Sequence, residues 1–251
     1  MYREDAKEFH NRLFPDYPVD ENDPDYEFTE FYENWAYGEV IGNCDLTEKD
    51  RTLAMLAACM GTLSLDEFSF LIPSAINSFG LKPEEIKELV YQATAYLGIA
   101  RVFPFLQKTN EVFKSLNITE SKEPRNTISY EERKLSGNEK QVEIFGEVMR
   151  GYYNGSKFNE WSSSNCFGDY YTRKGLELRE RELITFCFLI SQGGCEAQVR
   201  GHTIGNIHVG NSAEYLIETA TQLLPYIGYP RVTNAIETVK AVAETLKNTA
   251  E

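Results

Sequence analysis

Apolar side chains in this chain cluster in blocks with helical spacing, and strict alternation of apolar and polar positions is nearly absent. Thr47-Glu48-Lys49-Asp50 resembles a capping box ahead of the apolar run Leu53 to Ala58, because a threonine oxygen can accept from an orphan amide at a helix start. Pro83-Glu84-Glu85 opens another helix, since proline has no amide to leave unpaired there and the two carboxylates face the positive end of the helix dipole. Ser212 caps the segment Ala213 to Glu218, and Gly228-Tyr229-Pro230 stops it. The pattern predicts an all-α protein.

The helical pattern repeats. When the sequence is slid along itself by 210 − 80 = 130 residues, Gly210 falls on Gly80 and no gap is needed. Between Phe28–Val102 and Phe158–Val232, 14 of 75 pairs are identical, against about 4 or 5 expected by chance, which argues for a duplicated module. Matched pairs include Gly38 with Gly168, Arg51 with Arg181, Gln92 with Gln222, Tyr96 with Tyr226 and Gly98 with Gly228. Asn117 to Glu139 is rich in Ser, Asn, Lys, Glu and Pro and reads as a solvated linker. The expected organisation is a first module over residues 1–120, a linker over 121–139 and a second module over 140–251. Neither module hides its apolar faces alone, so copy is expected to pack on copy, and chain on chain.

Composition narrows the partners. A net charge of −14 repels phosphate backbones and anionic headgroups, so nucleic acid and membrane surfaces are poor partners. No stretch approaches the roughly 20 apolar residues of a membrane span, and a cytoplasmic protein is the expectation. Five cysteines without a Cys-x-x-Cys pair suit a reducing compartment, and Cys59 and Cys187 read as core residues. With His10, His202 and His208 as the three histidines, no metal centre and no cofactor are expected.

A duplicated module carries its own control, because positions that keep their chemistry in both copies serve the fold and those that differ are candidates for function. Cys195, Gln198, His202 and Asn206 fall opposite the apolar set Leu65, Phe68, Ile72 and Ile76. At about 100° per residue these four polar side chains share an arc of about 80° on one helix face, where burial is costly unless they bind each other or a ligand. Gly193-Gly194 allow a tight turn into that helix, whose first-turn amides are expected to favour a Cys195 thiolate. Arg181, matched by Arg51, reads as a structural ion-pair residue, whereas Glu182, matched by Thr52, stays open as a proton-relay acid. Arg200 and Glu196 fall off the stripe and read as surface charges.

The strings Arg-Glu-Arg-Glu-Leu-Ile-Thr-Phe at 179–186, Gly-Gly-Cys-Glu-Ala-Gln-Val-Arg-Gly-His at 193–202, Gly210, and Gln-Leu-Leu-Pro-Tyr-Ile-Gly-Tyr-Pro at 222–230 resemble the carboxymuconolactone decarboxylase family, which includes alkylhydroperoxidase D. The likeness covers the second copy and, more weakly, Phe28 to Val102 of the first. It implies an alkylhydroperoxidase D-like helical module that assembles into rings, so a homotrimer of doubled modules is expected. In the peroxidase branch a Glu, a Cys-x-x-Cys pair and a following His form a proton relay and a redox disulfide. Here Cys195 matches the first cysteine and His202 the histidine, while Gln198 stands where the second cysteine would be. A lone Cys195 needs an outside thiol to resolve it after oxidation.

Three functions follow. The first is a decarboxylase or lactone-isomerising enzyme acting on a small carboxylate or lactone, with His202 as general acid or base, Glu182 as relay acid, Gln198 and Asn206 orienting substrate and Cys195 lining the pocket. The second is a single-cysteine hydroperoxide reductase, a peroxiredoxin-type antioxidant in which Cys195 attacks peroxide. The third is a non-catalytic ring protein that binds a small ligand.

Overall fold

The computed structural model describes residues 1–250, the last two by their backbone alone, and among them it places helices and no strand. The first half runs through α1 (Glu4–Leu13), α2 (Tyr26–Glu33) with a π-helical continuation (Asn34–Val40), α3 (Glu48–Thr62), α4 (Leu65–Asn77), α5 (Pro83–Leu97) and α6 (Ile99–Ser115). The second runs through α7 (Arg133–Phe145), α8 (Lys157–Trp161) with a π-helical continuation (Ser162–Tyr171), α9 (Leu178–Gln192), α10 (Glu196–His208), α11 (Ala213–Gln222) and α12 (Leu224–Ala250). Both ends of α9 lie 130 residues after those of α3, and α11 starts 130 after α5.

The caps read from the sequence are in place. Thr47 accepts from the Asp50 amide and Ser212 from the Tyr215 amide, and Pro83 is the first residue of α5. Gly228 has φ 76° and ψ 164°, close to Gly98 with φ 81° and ψ 147°. At both glycines one helix ends and another begins at once, so the expected stop at Gly228 is a kink inside α12.

Helices α3 and α9 form the centre of the molecule and are buried on nearly every side, which is why neither is amphipathic. They meet at Gly61, where an added Cβ would lie 2.6 Å from the Cβ of Ser191, the residue 130 positions on. Reciprocal ion pairs flank this contact: Lys49 Nζ lies 2.6 Å from Glu180 Oε1, and Arg179 lies 2.8 Å from Asp50 Oδ2. Arg181 is fully buried and donates to Gln92 Oε1 (2.9 Å) and Glu88 Oε2 (3.2 Å) of α5, the structural ion pair that its counterpart Arg51 suggested. Truncating Glu88 would strand that guanidinium, at a cost of about 3–5 kcal/mol. Cys59 and Cys187 are core residues, as their apolar neighbours indicated.

One boundary differs. The segment read as linker through Glu139 is helical from Arg133, because its polar residues are partnered inside the protein. Gly137 brings the α7 backbone against that of Ser163 and Gly168, and Asn138 donates to the Met149 carbonyl at 2.7 Å. Polar composition resembled solvation, but here it is hydrogen-bonded packing.

Candidate active site

Helix α9 carries Glu182 on a fully buried position, and α10 brings His202 to it. Imidazole Nδ1 lies 2.9 Å from Glu182 Oε2. Gly205, three residues after His202, makes the space: a Cβ there would come within 2.6 Å of the same carboxylate oxygen. The ring is held edge-to-face between Tyr96 and Phe145, with centroids 5.4 Å away on each side.

The other carboxylate oxygen is served by a directed chain of hydroxyls. Tyr171, at the end of the second π-helix, donates to Glu182 Oε1 at 2.8 Å. Its oxygen lies 2.8 Å from Thr185 Oγ1 and 2.6 Å from the Tyr96 hydroxyl. Thr185 already accepts from Gln92 Nε2 at 2.9 Å, so its own proton is free to go to Tyr171. With the Tyr171 proton committed to Glu182, Tyr96 must donate to Tyr171, and the Cys166 thiol donates to Tyr96 at 3.7 Å. Burial first, and nearby Glu182 second, hold the Tyr171 hydroxyl well above the usual phenol range, and burial does the same for Tyr96, so both remain donors. A carboxylate that accepts on both oxygens requires His202 to carry its proton on Nδ1, which leaves Nε2 as the lone-pair nitrogen.

His202, 8% exposed, lies at the floor of an open cleft of about 640 Å³. Tyr96, Phe167 and Leu189 form its apolar wall, Asn165, Gln192 and Gln198 add amides, and Cys166 and Cys195 add thiols. Phe158 (71% exposed) and Trp161 (58%) flank the mouth. The π-helix suits this task, since its wider turn places Ser162, Asn165, Cys166 and Phe167 on the cleft while Tyr171 turns inward to Glu182.

Of the five residues singled out from the sequence, Cys195, Gln198 and His202 share the cleft, and Glu182 stands directly behind His202. Asn206 does not reach it. Its Nδ2 donates to the carbonyls of Glu182 (2.9 Å) and His202 (2.7 Å), and its Oδ1 accepts from Asn211 (2.7 Å), so it is a fully buried brace between α9 and α10 and not a substrate contact. The expected thiolate is also corrected. Cys195 precedes α10 as its cap, but Sγ turns back and donates to the Leu189 carbonyl at 3.3 Å, and burial, with Glu196 adding to it, raises the thiol above its ordinary value. A carbonyl acceptor stabilises S–H, whereas the helix amides that would stabilise S⁻ point elsewhere. Burial pushes the Cys166 thiol up to about 12.

His208 is a structural residue, donating from Nδ1 to the Ile144 carbonyl at 2.9 Å. Arg200 and Glu196 are exposed, as read. Among the described residues no group of three His, Cys, Asp or Glu side chains is placed to hold a metal ion, and no helix is long and apolar enough to cross a membrane. Sequence reasoning passed over Tyr96, Tyr171, Thr185 and Cys166. The signal for Tyr171 and Thr185 was available, since both stand opposite apolar residues, Ile41 and Met55, in the first half.

Residues 157–241, which hold the π-helix, Glu182, Cys195 and His202, match the model of the carboxymuconolactone decarboxylase family. A 4-carboxymuconolactone decarboxylase from Acinetobacter baylyi (strain ATCC 33305 / BD413 / ADP1) is 29% identical over 101 residues, covering 40% of this chain and 75% of that protein. The helical architecture agrees with this match, and the chain belongs to the carboxymuconolactone decarboxylase family through its second half.

Proposed function

We propose that the cleft of the second half is an acid–base active site for a small carboxylate or lactone, with His202 as the proton-transferring group. The observation that carries this reading is the imidazole tied by Nδ1 to a fully buried carboxylate while its ring lines the cleft. Glu182 fixes the tautomer and stabilises the imidazolium that forms when Nε2 takes a proton. Tyr171 and Thr185 hold Glu182 in place, and Tyr96 presents a hydroxyl to the same cleft. Gln198 is the polar side chain for orienting substrate. The experiment is turnover of a panel of small unsaturated lactones and their carboxylic acids, with His202→Gln expected to abolish it and Cys195→Ser to leave most of it. Full activity in His202→Gln would overturn the reading.

Cys195 on the same cleft is the observation behind a second reading, a single-cysteine hydroperoxide reductase. Its raised pKa weighs against it, because the thiolate is the nucleophile. Peroxide-dependent oxidation of an added thiol that vanishes in Cys195→Ser would favour this reading over the first.

The chain is, on the same proposal, a doubled module that forms a homotrimer in the cytoplasm. The 130-residue spacing of helix boundaries supports the doubling, exposed Phe28, Phe31, Phe158 and Trp161 support assembly, and five unpaired cysteines suit a reducing compartment. Sedimentation equilibrium of the purified chain tests the trimer.

A further inference from the structure

The walls of the cleft carry aromatic rings, amides and thiols, and the single ionisable group of ordinary titration range among its lining residues is His202 itself. Two cations stand nearby, and both are engaged outside it. Lys157 pairs with Glu160 at 2.9 Å and covers the Trp161 ring, and the exposed Arg101 guanidinium leans on the side chain of Gln192 at 3.5 Å. Behind His202 stands the carboxylate of Glu182, and the chain as a whole carries a net charge of −14. A ligand carboxylate brought against these walls would lose its hydration without a built cationic partner, and would meet a field of its own sign. A flat uncharged molecule would lose little, stacking on Tyr96 and Trp161 while its carbonyl oxygen meets amide donors. Gln198 supplies such a donor, because its amide lines the cleft and makes no hydrogen bond among the described residues.

We infer that the molecule taken up beside His202 is uncharged where it enters the cleft, a planar conjugated lactone or cyclic enone, and that its reaction there is migration of a double bond rather than loss of carboxylate. This rests on His202 being the proton-transferring group. Nε2 removes a proton from the carbon adjoining the conjugated carbonyl system. The C–H electron pair becomes a new C=C bond, and charge moves onto the carbonyl oxygen, where Gln198 donates. Nε2–H then returns the proton to the far carbon of the dienolate, the carbonyl re-forms, and imidazole is neutral again. Nothing is oxidised or reduced, and no group leaves.

The test compares an unsaturated five-membered lactone bearing a carboxylic acid with its methyl ester, each titrated calorimetrically into the full chain near neutral pH. The ester is expected to bind at least about tenfold more tightly, and Gln198→Arg, at an exposed position, is expected to reverse the order. Tighter or equal binding of the acid to the wild-type chain, or no binding of either, overturns the inference, as does an unchanged order in Gln198→Arg. Exchange of the ester's ring protons with deuterated solvent is read separately. It is expected to be lost in His202→Gln while the ester-over-acid preference survives, so a failure of the acid–base reading is distinguishable from a failure of the charge assignment.

Discussion

In the second half of the molecule every polar group around the centre has a partner, whereas in the first half several of the corresponding groups are stranded. Gln92 donates to Thr185 and the Arg181 carbonyl and accepts from Arg181. Its counterpart Gln222 has both amide atoms buried without a partner among the described residues, as has Arg51 Nε. Tyr96 joins the chain of hydroxyls behind His202, while the hydroxyl of its counterpart Tyr226 is buried and unpaired. The groups that would have met them are apolar in the first half: Ile41 for Tyr171, Met55 for Thr185, Ile72 for His202. Tyr32 and Trp35, in place of Ser162 and Asn165, fill the space that forms a cleft in the second half, with Trp35 stacked on Tyr229. One helical register thus supports a working polar network in one place and a packed apolar remnant in the other. Polar partnership, not backbone, makes the difference.

The largest effect that would sharpen this contrast is on turnover. His202→Gln is expected to lower kcat/KM by about 10²–10⁴-fold, the range for a lost general acid or base, while Ile72→Val leaves it unchanged and costs about 0.5–1.5 kcal/mol of stability by chemical denaturation. Next comes a stability pair. Gln92→Leu strands Arg181 and Thr185 and is expected to cost about 1–3 kcal/mol, whereas Gln222→Leu removes unpaired polar atoms and is expected to be neutral or stabilising. Equal losses from both would erase the distinction between the halves. The tyrosines differ by less: Tyr96→Phe is expected to lower turnover about three- to tenfold, a hydrogen bond's worth, and Tyr226→Phe to change neither turnover nor lower the melting temperature.

The smallest effect lies in the N-terminal segment. His10 Nδ1 faces Glu33 at 2.8 Å and Nε2 donates to the Tyr17 carbonyl at 2.7 Å. Burial alone would lower its pKa, but Glu33 and the Tyr17 carbonyl outweigh it and raise it above 6.5. A raised folded-state pKa gives stability that is complete below the unfolded value and fades as pH climbs through the folded one. The melting-temperature gap between wild type and His10→Gln is therefore expected to shrink from about pH 6 to about pH 8.

Much of this was legible in the sequence, for reasons that differ residue by residue. Thr47, Ser212 and Pro83 announce helix starts because capping is local chemistry. Cys195, Gln198 and His202 stood out because each replaces an apolar residue 130 positions earlier. Asn206 passed the same filter for another reason: helical spacing gives a direction around the axis, but not the depth at which α10 meets α9. Tyr96 was hidden by the filter itself, because a tyrosine kept in both halves reads as scaffold. Its role comes from crossing between halves, which no spacing within a helix encodes. Tyr171 and Cys166 sit in a π-helix, where the usual periodicity assigns faces wrongly. The Cys195 thiolate failed because the direction of a side chain at a helix cap is set by tertiary contact, here the Leu189 carbonyl.

The central claim is that Glu182 fixes His202 with its proton on Nδ1 and a bare Nε2 toward the cleft, and proton–nitrogen NMR of the ring-labelled protein reads this directly, with no substrate needed. At a pH where the imidazole is neutral, the account expects a protonated Nδ1 and an unprotonated Nε2 for His202, with that preference lost in Glu182→Ala. A neutral ring protonated on Nε2, or a tautomer indifferent to the removal of Glu182, would contradict it.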